Sequence, residues 1–464
     1  MSAEAVLSLF SVLGSAAEAA EHAVREPSTV ARIASLAIFA AVYVGIASEK
    51  LEKTTAALLG AAAVVAFQLV PYDFALGAID LNVIFLLVGM MIVMSIMSDT
   101  GLFEWIAIMV AKKANGNGPL IFLLFMLVTA FLSAFLDNVT TVILIAPITI
   151  LVGQILEIPV VAFLVMEAIA SNIGGTATLI GDPPNVLIGS QAGLTFNQFI
   201  ENLTPPVLVM IAVIFPVITL LFRKRMSVSQ EARLRIMRAK PELAILDPVG
   251  LRRGLIVFAG ILAAFFLHHL LHLEPGIIAL AGAIVMSLVC RKDLHHALEK
   301  VEWTSIFFFV GLFMLVGALE YNGIFESLGH FILSVTGDNF AFTLLAVLWF
   351  AAIVSAIVDN IPLVIAMIPL IQTIVPFFAQ QQGLDPLAPQ VHETIAMPLY
   401  WSLALGACLG GNGTLVGASA NVVVTQIARR NKYPLTFGLF TAYGLPVMIA
   451  TLVIATVYIY LRYA

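Results

Sequence analysis

The sequence predicts an all-α polytopic membrane protein with two inverted-topology repeats, each holding a re-entrant hairpin and an unwound transmembrane helix. Three observations carry this. The chain of 464 residues is 61% hydrophobic and only 11% charged, against about a quarter charged in soluble domains. Apolar runs long enough to span roughly 30 Å of hydrocarbon recur along most of its length. The two halves also resemble each other at a fixed offset.

The apolar runs are 30–48, 54–73, 81–98, 118–136, 139–158, 159–180, 204–223, 254–272, 275–290, 304–322, 339–358, 361–382, 394–417 and 436–461. Within lipid the backbone must satisfy its own hydrogen bonds, so a helical bundle follows. Residues 1–29 form an N-terminal extracytoplasmic segment; Val6–Leu13 is apolar but has no basic flank, which argues against a cleaved signal. The first repeat covers 30–223, with a hairpin over 118–158 and a broken helix over 159–192. A basic cytoplasmic loop follows at 224–253. The second repeat covers 254–464, with a hairpin over 339–382 and a broken helix over 394–428.

Basic residues set the orientation. Of 22 Lys and Arg, 19 face the cytoplasm in one threading: Lys50 and Lys53, Lys112 and Lys113, nine within 223–253, Arg291, Lys292 and Lys300, then Arg429, Arg430 and Lys432. Outer loops carry acids such as Asp73, Asp80 and Asp338. This places the chain as a multi-pass protein of the plasma (inner) membrane, its outer faces against lipid. The net charge of −6 and the solvated 223–253 segment give no nucleic-acid patch. Cys290 and Cys408 have neither disulfide nor metal spacing. His268, His269 and His272 fall at a span end, where an interfacial role accounts for them, and no metal site is predicted.

A shift of 222 places Asn82–Glu104 on Thr304–Glu326 with seven identities in 23 positions, and Ser133–Pro147 on Ser355–Pro369 with seven in 15. A shift of 236 places Gly174–Asn185 on Gly410–Asn421 with six in 12. The extra 14 residues fall near 380–393. The charge-derived threading runs matching spans in opposite directions, an arrangement common among secondary transporters.

Each half breaks its apolar pattern twice. The first break is Asp137-Asn138-Val139-Thr140-Thr141, mirrored by Asp359-Asn360-Ile361-Pro362. A polar tip between two apolar arms reads as a re-entrant hairpin, although two full spans would have the same parity. The second is Asn172-Ile173-Gly174-Gly175-Thr176-Ala177-Thr178 continuing through Gly181-Asp182-Pro183-Pro184-Asn185, mirrored by Gly410-Gly411-Asn412-Gly413-Thr414 and Gly417-Ala418-Ser419-Ala420-Asn421. Glycine and proline inside a span unwind it. Such backbone survives at membrane depth only around a cavity, and paired broken helices point to a transporter's binding site.

The predicted substrate- and ion-binding set is Asp137, Asn138, Thr140, Thr141, Gly175, Thr176, Thr178, Asp182, Asn185, Asp359, Asn360, Gly411, Asn412, Gly413, Thr414, Ser419 and Asn421. Intramembrane carboxylates are costly and therefore functional candidates, so Asp137, Asp359 and Glu167 are the expected proton-coupling groups. Asp137 and Asp359 also suit helix N-caps, which is compatible with that role. Gly175 and Gly411 are expected to have positive φ or to touch bound solute.

Ser133-Ala134-Phe135-Leu136-Asp137-Asn138-Val139-Thr140-Thr141 and the Gly174–Asn185 motif resemble the ArsB/NhaD permeases of the ion transporter superfamily, nearest the P protein-like branch labelled arsenite transporter. Ser355-Ala356-Ile357-Val358-Asp359-Asn360-Ile361-Pro362-Leu363 is similar to sodium/proton antiporters. The resemblance implies two hairpins, two unwound helices, a homodimeric scaffold and elevator-like movement. It implies no enzyme activity and no cofactor, with H⁺ or Na⁺ as coupling ion. The expected solute is small and inorganic: arsenite or antimonite exported by proton exchange, or Na⁺ in a Na⁺/H⁺ antiporter. A dicarboxylate or other anion permease and a passive channel are the alternatives, and an ATPase partner subunit stays open. No Lys or Arg falls within 114–222 or 301–428, where every predicted site residue lies. A dicarboxylate would then face Asp137 and Asp359 with helix N-termini or co-bound cations as its only attraction.

Overall fold

The computed structural model describes residues 28–47, 51–325, 327–329, 337 and 339–463. The N-terminal segment is thus outside the described residues except for its last two positions, as are Lys50 and Asp338. All regular structure among the described residues is helical. Ten of these helices are long and apolar enough to cross a membrane.

The first half runs α1 (Thr29–Ala47), α2 (Lys53–Ala66), α3 (Tyr72–Gly77), α4 (Leu81–Ser98), α5 (Leu102–Lys113), α6 (Gly118–Phe135), α7 (Asn138–Leu156), α8 (Val160–Gly175), α9 (Pro183–Ala192) and α10 (Phe196–Phe222). After α11 (Gln230–Arg238) the second half runs α12 (Pro248–Leu271), α13 (Pro275–Cys290), α14 (Leu294–Glu299), α15 (Trp303–Tyr321), α16 (Phe340–Ile357), α17 (Asn360–Gln381), α18 (Met397–Gly410), α19 (Ser419–Arg430) and α20 (Phe437–Tyr463). The extra residues of the second half occupy the turn between α17 and α18, including a π-helical turn at His392–Ala396.

Matching helices start for matching reasons. Asn117 accepts from Leu120 N and its mate Asn339 from Phe342 N, capping α6 and α16. Asp137 and Asp359 cap α7 and α17 by accepting from Thr140 N and Ile361 N. Pro147 and Pro369 interrupt α7 and α17 at corresponding positions. Helices α2 and α13, predicted as spans, have only 14 and 16 residues. Gln68 in the left-handed region (φ 52) and Pro71 end the first well before residue 73. The segment after α10 is more ordered than a solvated loop: Ala232 and Ile236 of α11 are buried, and α11 packs on α5 and α7.

Packing repeats with the halves exchanged. Helix α4 packs on α13 of the other half, and α15 on α2; α7 meets α19, and α17 meets α9. Within each half, α6 packs on α8 and α16 on α18. A two-fold relation between the repeats requires this pattern, and it places both broken helices centrally. Every residue of α8 except Val161, and of α18 except Met397, is buried. Helix α1 is peripheral: of its described side chains only Ser35 and Val42 are buried.

Candidate functional site

Helices α6 and α7 form one helix–turn–helix hairpin and α16 and α17 the other, and the two turns meet both helix breaks at the centre of the bundle. Helix α6 ends at Phe135, the chain extends through Leu136 (φ −124, ψ 151), and Asp137 starts α7. Val358 and Asp359 repeat this between α16 and α17. Asparagine follows the capping aspartate in both turns, and Asn138 and Asn360 are buried. Asp137 is 6% exposed and Asp359 8%, so both caps face the interior.

The breaks are held open by side chains. Asn185 Nδ2 donates to Thr176 O and Thr178 O at 3.1 and 2.9 Å. Asn421 Nδ2 donates to Gly411 O and Thr414 O at 2.8 and 2.9 Å. These amides satisfy carbonyls that unwinding releases. Thr178 donates to Ala134 O, and Thr414 to Ala356 O at 2.5 Å, so both hydroxyls tie a break to the hairpin beside it. Gly175 and Gly411 are not in the left-handed region; Gly411 has φ −54. Their size is needed for a close backbone approach instead: a Cβ would lie 2.4 Å from Gly181 O and 2.9 Å from Gly417 O, respectively. A Cβ at Gly413 would meet Met448 Sδ at 2.5 Å, placing that glycine against α20.

The asparagines then connect the two halves. Asn138 Nδ2 donates to Asp182 Oδ1 at 3.0 Å and to Asn172 Oδ1 at 3.2 Å. Asn360 Nδ2, from the other hairpin, lies 3.4 Å from the same Asp182 oxygen. Asn172 Nδ2 donates to Asn412 Oδ1 and Asn421 Oδ1, both at 3.1 Å. The two-fold mate of the Asn172–Asn421 contact joins Cys408 and Asn185, with Sγ 3.5 Å from Oδ1. One network therefore carries Asn138, Asp182, Asn360, Asn412 and Asn421 of the predicted set.

This network is buried and incompletely satisfied. Asp182, Asn185 and Asn412 have no exposed surface. Asn138 Oδ1, Thr141 Oγ1, Asp182 Oδ2 and Asn412 Nδ2 have no hydrogen-bond partner among the described residues. Unpaired buried polar atoms are costly, and functional sites are where they persist. No Lys or Arg is ion-paired to Asp137 or Asp182 among the described residues.

Other predicted residues sit apart. Thr140 donates its hydroxyl to Asp137 as part of the cap. Glu167 is buried in α8, where Thr149 Oγ1 donates to Oε1 at 2.5 Å and Oε2 has no partner. His268 accepts from Phe196 N at 3.2 Å near the end of α12. Among the described residues no His, Cys, Asp and Glu cluster suits a metal.

The predicted binding set omits Asn172, although it opens the second break, and also Cys408 and Lys53. Asn172 stands two residues before the Gly-Gly pair, and its mate is Cys408, so repeat identity gave no signal. Lys53 opens α2, yet its Nζ lies 2.9 Å from Ser419 Oγ and 3.9 Å from Asp359 Oδ2. The lysine-free windows of the sequence therefore do not leave Asp359 without a nearby cation.

Residues 43–392 match the family model described as "Citrate transporter" (CitMHS). Two similar relatives are uncharacterized transporters of Mycobacterium tuberculosis: one is 42% identical over 93% of this chain and 98% of its own length, the other 41% identical over 93% and 99%. The mouse P protein is 32% identical, over 93% of this chain and 60% of its own. Among solved structures, the YdaH transporter of Alcanivorax borkumensis shares the fold at a TM-score of 0.54 and 15% identity, covering 86% of this chain and 90% of that one. With 10 candidate spans and no strand among the described residues, this chain is a multi-pass membrane transporter rather than an enzyme, and it belongs to the CitMHS citrate transporter family of the ion transporter superfamily.

Proposed function

We propose that this protein is a cation-coupled secondary active transporter whose coupling ion, H⁺ or Na⁺, is bound at Asp182. One observation carries the reading: a fully buried carboxylate accepts from the asparagine of each hairpin, through Asn138 and Asn360, while its second oxygen stays unpartnered. An isolated carboxylate in such surroundings is neutralised by a proton or a bound cation. Asn138 Oδ1 and Thr141 Oγ1 add hard oxygen ligands of the kind alkali and alkaline-earth ions take. Because the same oxygen holds both hairpins, occupancy of Asp182 biases how they sit together. That differential contact is what coupling requires.

For the solute we put first arsenite or antimonite, leaving in exchange for protons across the inner membrane. Amides and hydroxyls suit a neutral polyhydroxy species, and the Cys408 thiol stands in the same wall. A second reading, uptake of a carboxylate anion, has its own support in Lys53 beside Asp359 and in the family description. Purified protein in proteoliposomes under an imposed proton or sodium gradient tests both, with arsenite, Na⁺, citrate and succinate as solutes. Concentrative, gradient-dependent flux that Asp182→Asn abolishes is expected. Flux that only equilibrates its solute would make the protein a passive channel and overturn the reading.

A further inference from the structure

A cavity of about 520 Å³ opens on the side assigned to the cytoplasm and is lined by Lys53, Glu302, Asp359, Ser419 and Arg429. At its inner end Ser419 Oγ donates to Asp359 Oδ2 at 2.6 Å. The Lys53 ammonium sits against both, 2.9 Å from the hydroxyl and 3.9 Å from the carboxylate oxygen. An ammonium that touches one hydroxyl and one carboxylate uses the same oxygens that a free monovalent cation would.

Two features make this occupancy replaceable. Lys53 has a single hydrogen bond to the pair and its side chain is 31% exposed, so the displaced ammonium has water within reach. Asp359 and Ser419 begin α17 and α19, so the positive ends of two helices oppose a cation there and only the carboxylate holds it. In the position that Lys53 takes here its Nζ also lies 5.1 Å from the Phe308 ring centre on α15, the helix on which α2 packs. The two-fold mate of Lys53 is Pro275, so the Asp137 turn has no equivalent ammonium.

We infer that Asp359 and Ser419 form a monovalent-cation site which Lys53 occupies as a tethered competitor, so that a free cation binds only by displacing it. This builds on the cation-coupled reading but concerns a different carboxylate from Asp182. Lys53 belongs to α2, whereas Asp359 and Ser419 belong to a hairpin and a broken helix. Its release therefore also removes a direct tie between the peripheral helices and the elements that carry the central network.

The test is ²²Na⁺ binding to purified wild-type, Lys53→Gln and Lys53→Arg protein in detergent, at constant ionic strength set with choline chloride. Lys53→Gln is expected to lower the half-saturating Na⁺ about tenfold, or to reveal binding that wild type lacks, while Lys53→Arg stays near wild type. Adding Asp359→Asn to Lys53→Gln should remove the gain. Equal Na⁺ binding by wild type and Lys53→Gln, no Na⁺ binding by either, or a gain that survives Asp359→Asn would each overturn the inference. Gradient-driven flux of the wild type in proteoliposomes is read separately: uncoupled flux would sink the cation-coupled reading and leave the ²²Na⁺ result to stand alone.

Discussion

Replacing Asn172 by alanine removes one of the side-chain contacts through which the halves hold each other. Three hydrogen bonds go: two donated by Nδ2 to Asn412 and Asn421 and one accepted from Asn138, at 3.1, 3.1 and 3.2 Å. In a soluble core each partner left unpaired would cost about 1–3 kcal/mol. In a helical membrane bundle the unfolded reference also finds partners, and interhelical bonds average about 0.6 kcal/mol with a maximum near 1.7. The membrane value is the relevant one, so the loss is about 2 kcal/mol with a ceiling near 5. A double-mutant cycle isolates one bond. Asn421 keeps Gly411 O and Thr414 O when Asn172 is gone, so coupling between Asn172→Ala and Asn421→Ala should be only about 0.6 kcal/mol. The mate pair, Asn185 and Cys408, relies on a weak thiol donor at 3.5 Å and should couple less. Reversible unfolding in mixed detergent micelles measures both cycles. Zero coupling at 172/421, or stronger coupling at 185/408, would refute the assignment of Asn172 as the principal tie.

Asp137→Asn and Asp359→Asn should both leave folding within a few tenths of a kcal/mol, because asparagine caps helices as well as aspartate does. Loss of gradient-driven flux in either then reports the charge, whereas full coupling in both would remove these aspartates from the transport cycle. A Cβ at Gly174 would lie 2.1 Å from Ala130 O and one at Gly410 2.4 Å from Ala352 O. Gly174→Val and Gly410→Val should therefore separate the breaks from the hairpins, cost about 1–3 kcal/mol by overpacking and abolish flux while the protein still inserts; flux at wild-type rate would show that these contacts are not needed. Glu167→Gln should keep the Thr149 bond through its amide oxygen but lose exchangeable charge, so flux should become less pH-dependent; an unchanged pH profile would take Glu167 out of proton coupling.

Much of this architecture is legible in the sequence because the bilayer restricts what a chain can do. Apolar length locates helices, and residues that lipid does not select for, such as the Asp-Asn pairs, mark the interior. Thus the breaks, the paired turns and their capping aspartates are all foreseeable from pattern. The exchanged contacts are not. Nothing local links Asn172 to Asn421 or Lys53 to Ser419, which lie 249 and 366 residues apart. A window scan of positive charge sees only chain neighbours, so it finds no lysine near Asp359. The short helix α2 also reads as a longer span, since hydropathy runs past the turn that Gln68 and Pro71 impose.

Where the repeats diverge is as informative as where they agree. Both halves keep the elements that build the framework: the caps Asp137 and Asp359, the glycines at the breaks, and Asn185 and Asn421 holding the freed carbonyls. A two-fold framework allows equivalent packing to form from either side. A perfectly two-fold site would also place a second carboxylate across from Asp182, where the mate is Ala418, and two like charges buried together would raise the cost of both. The chain instead puts Asp182, Asn172 and Thr176 on one side of the pseudo-axis and Ala418, Cys408 and Asn412 on the other. The single carboxylate can then accept from both hairpins without a rival, and the one lysine, Lys53, tends the turn of the other half. Geometry is shared between the repeats, while Asp182 and Lys53 are each present in single copy, with Ala418 and Pro275 at the matching positions.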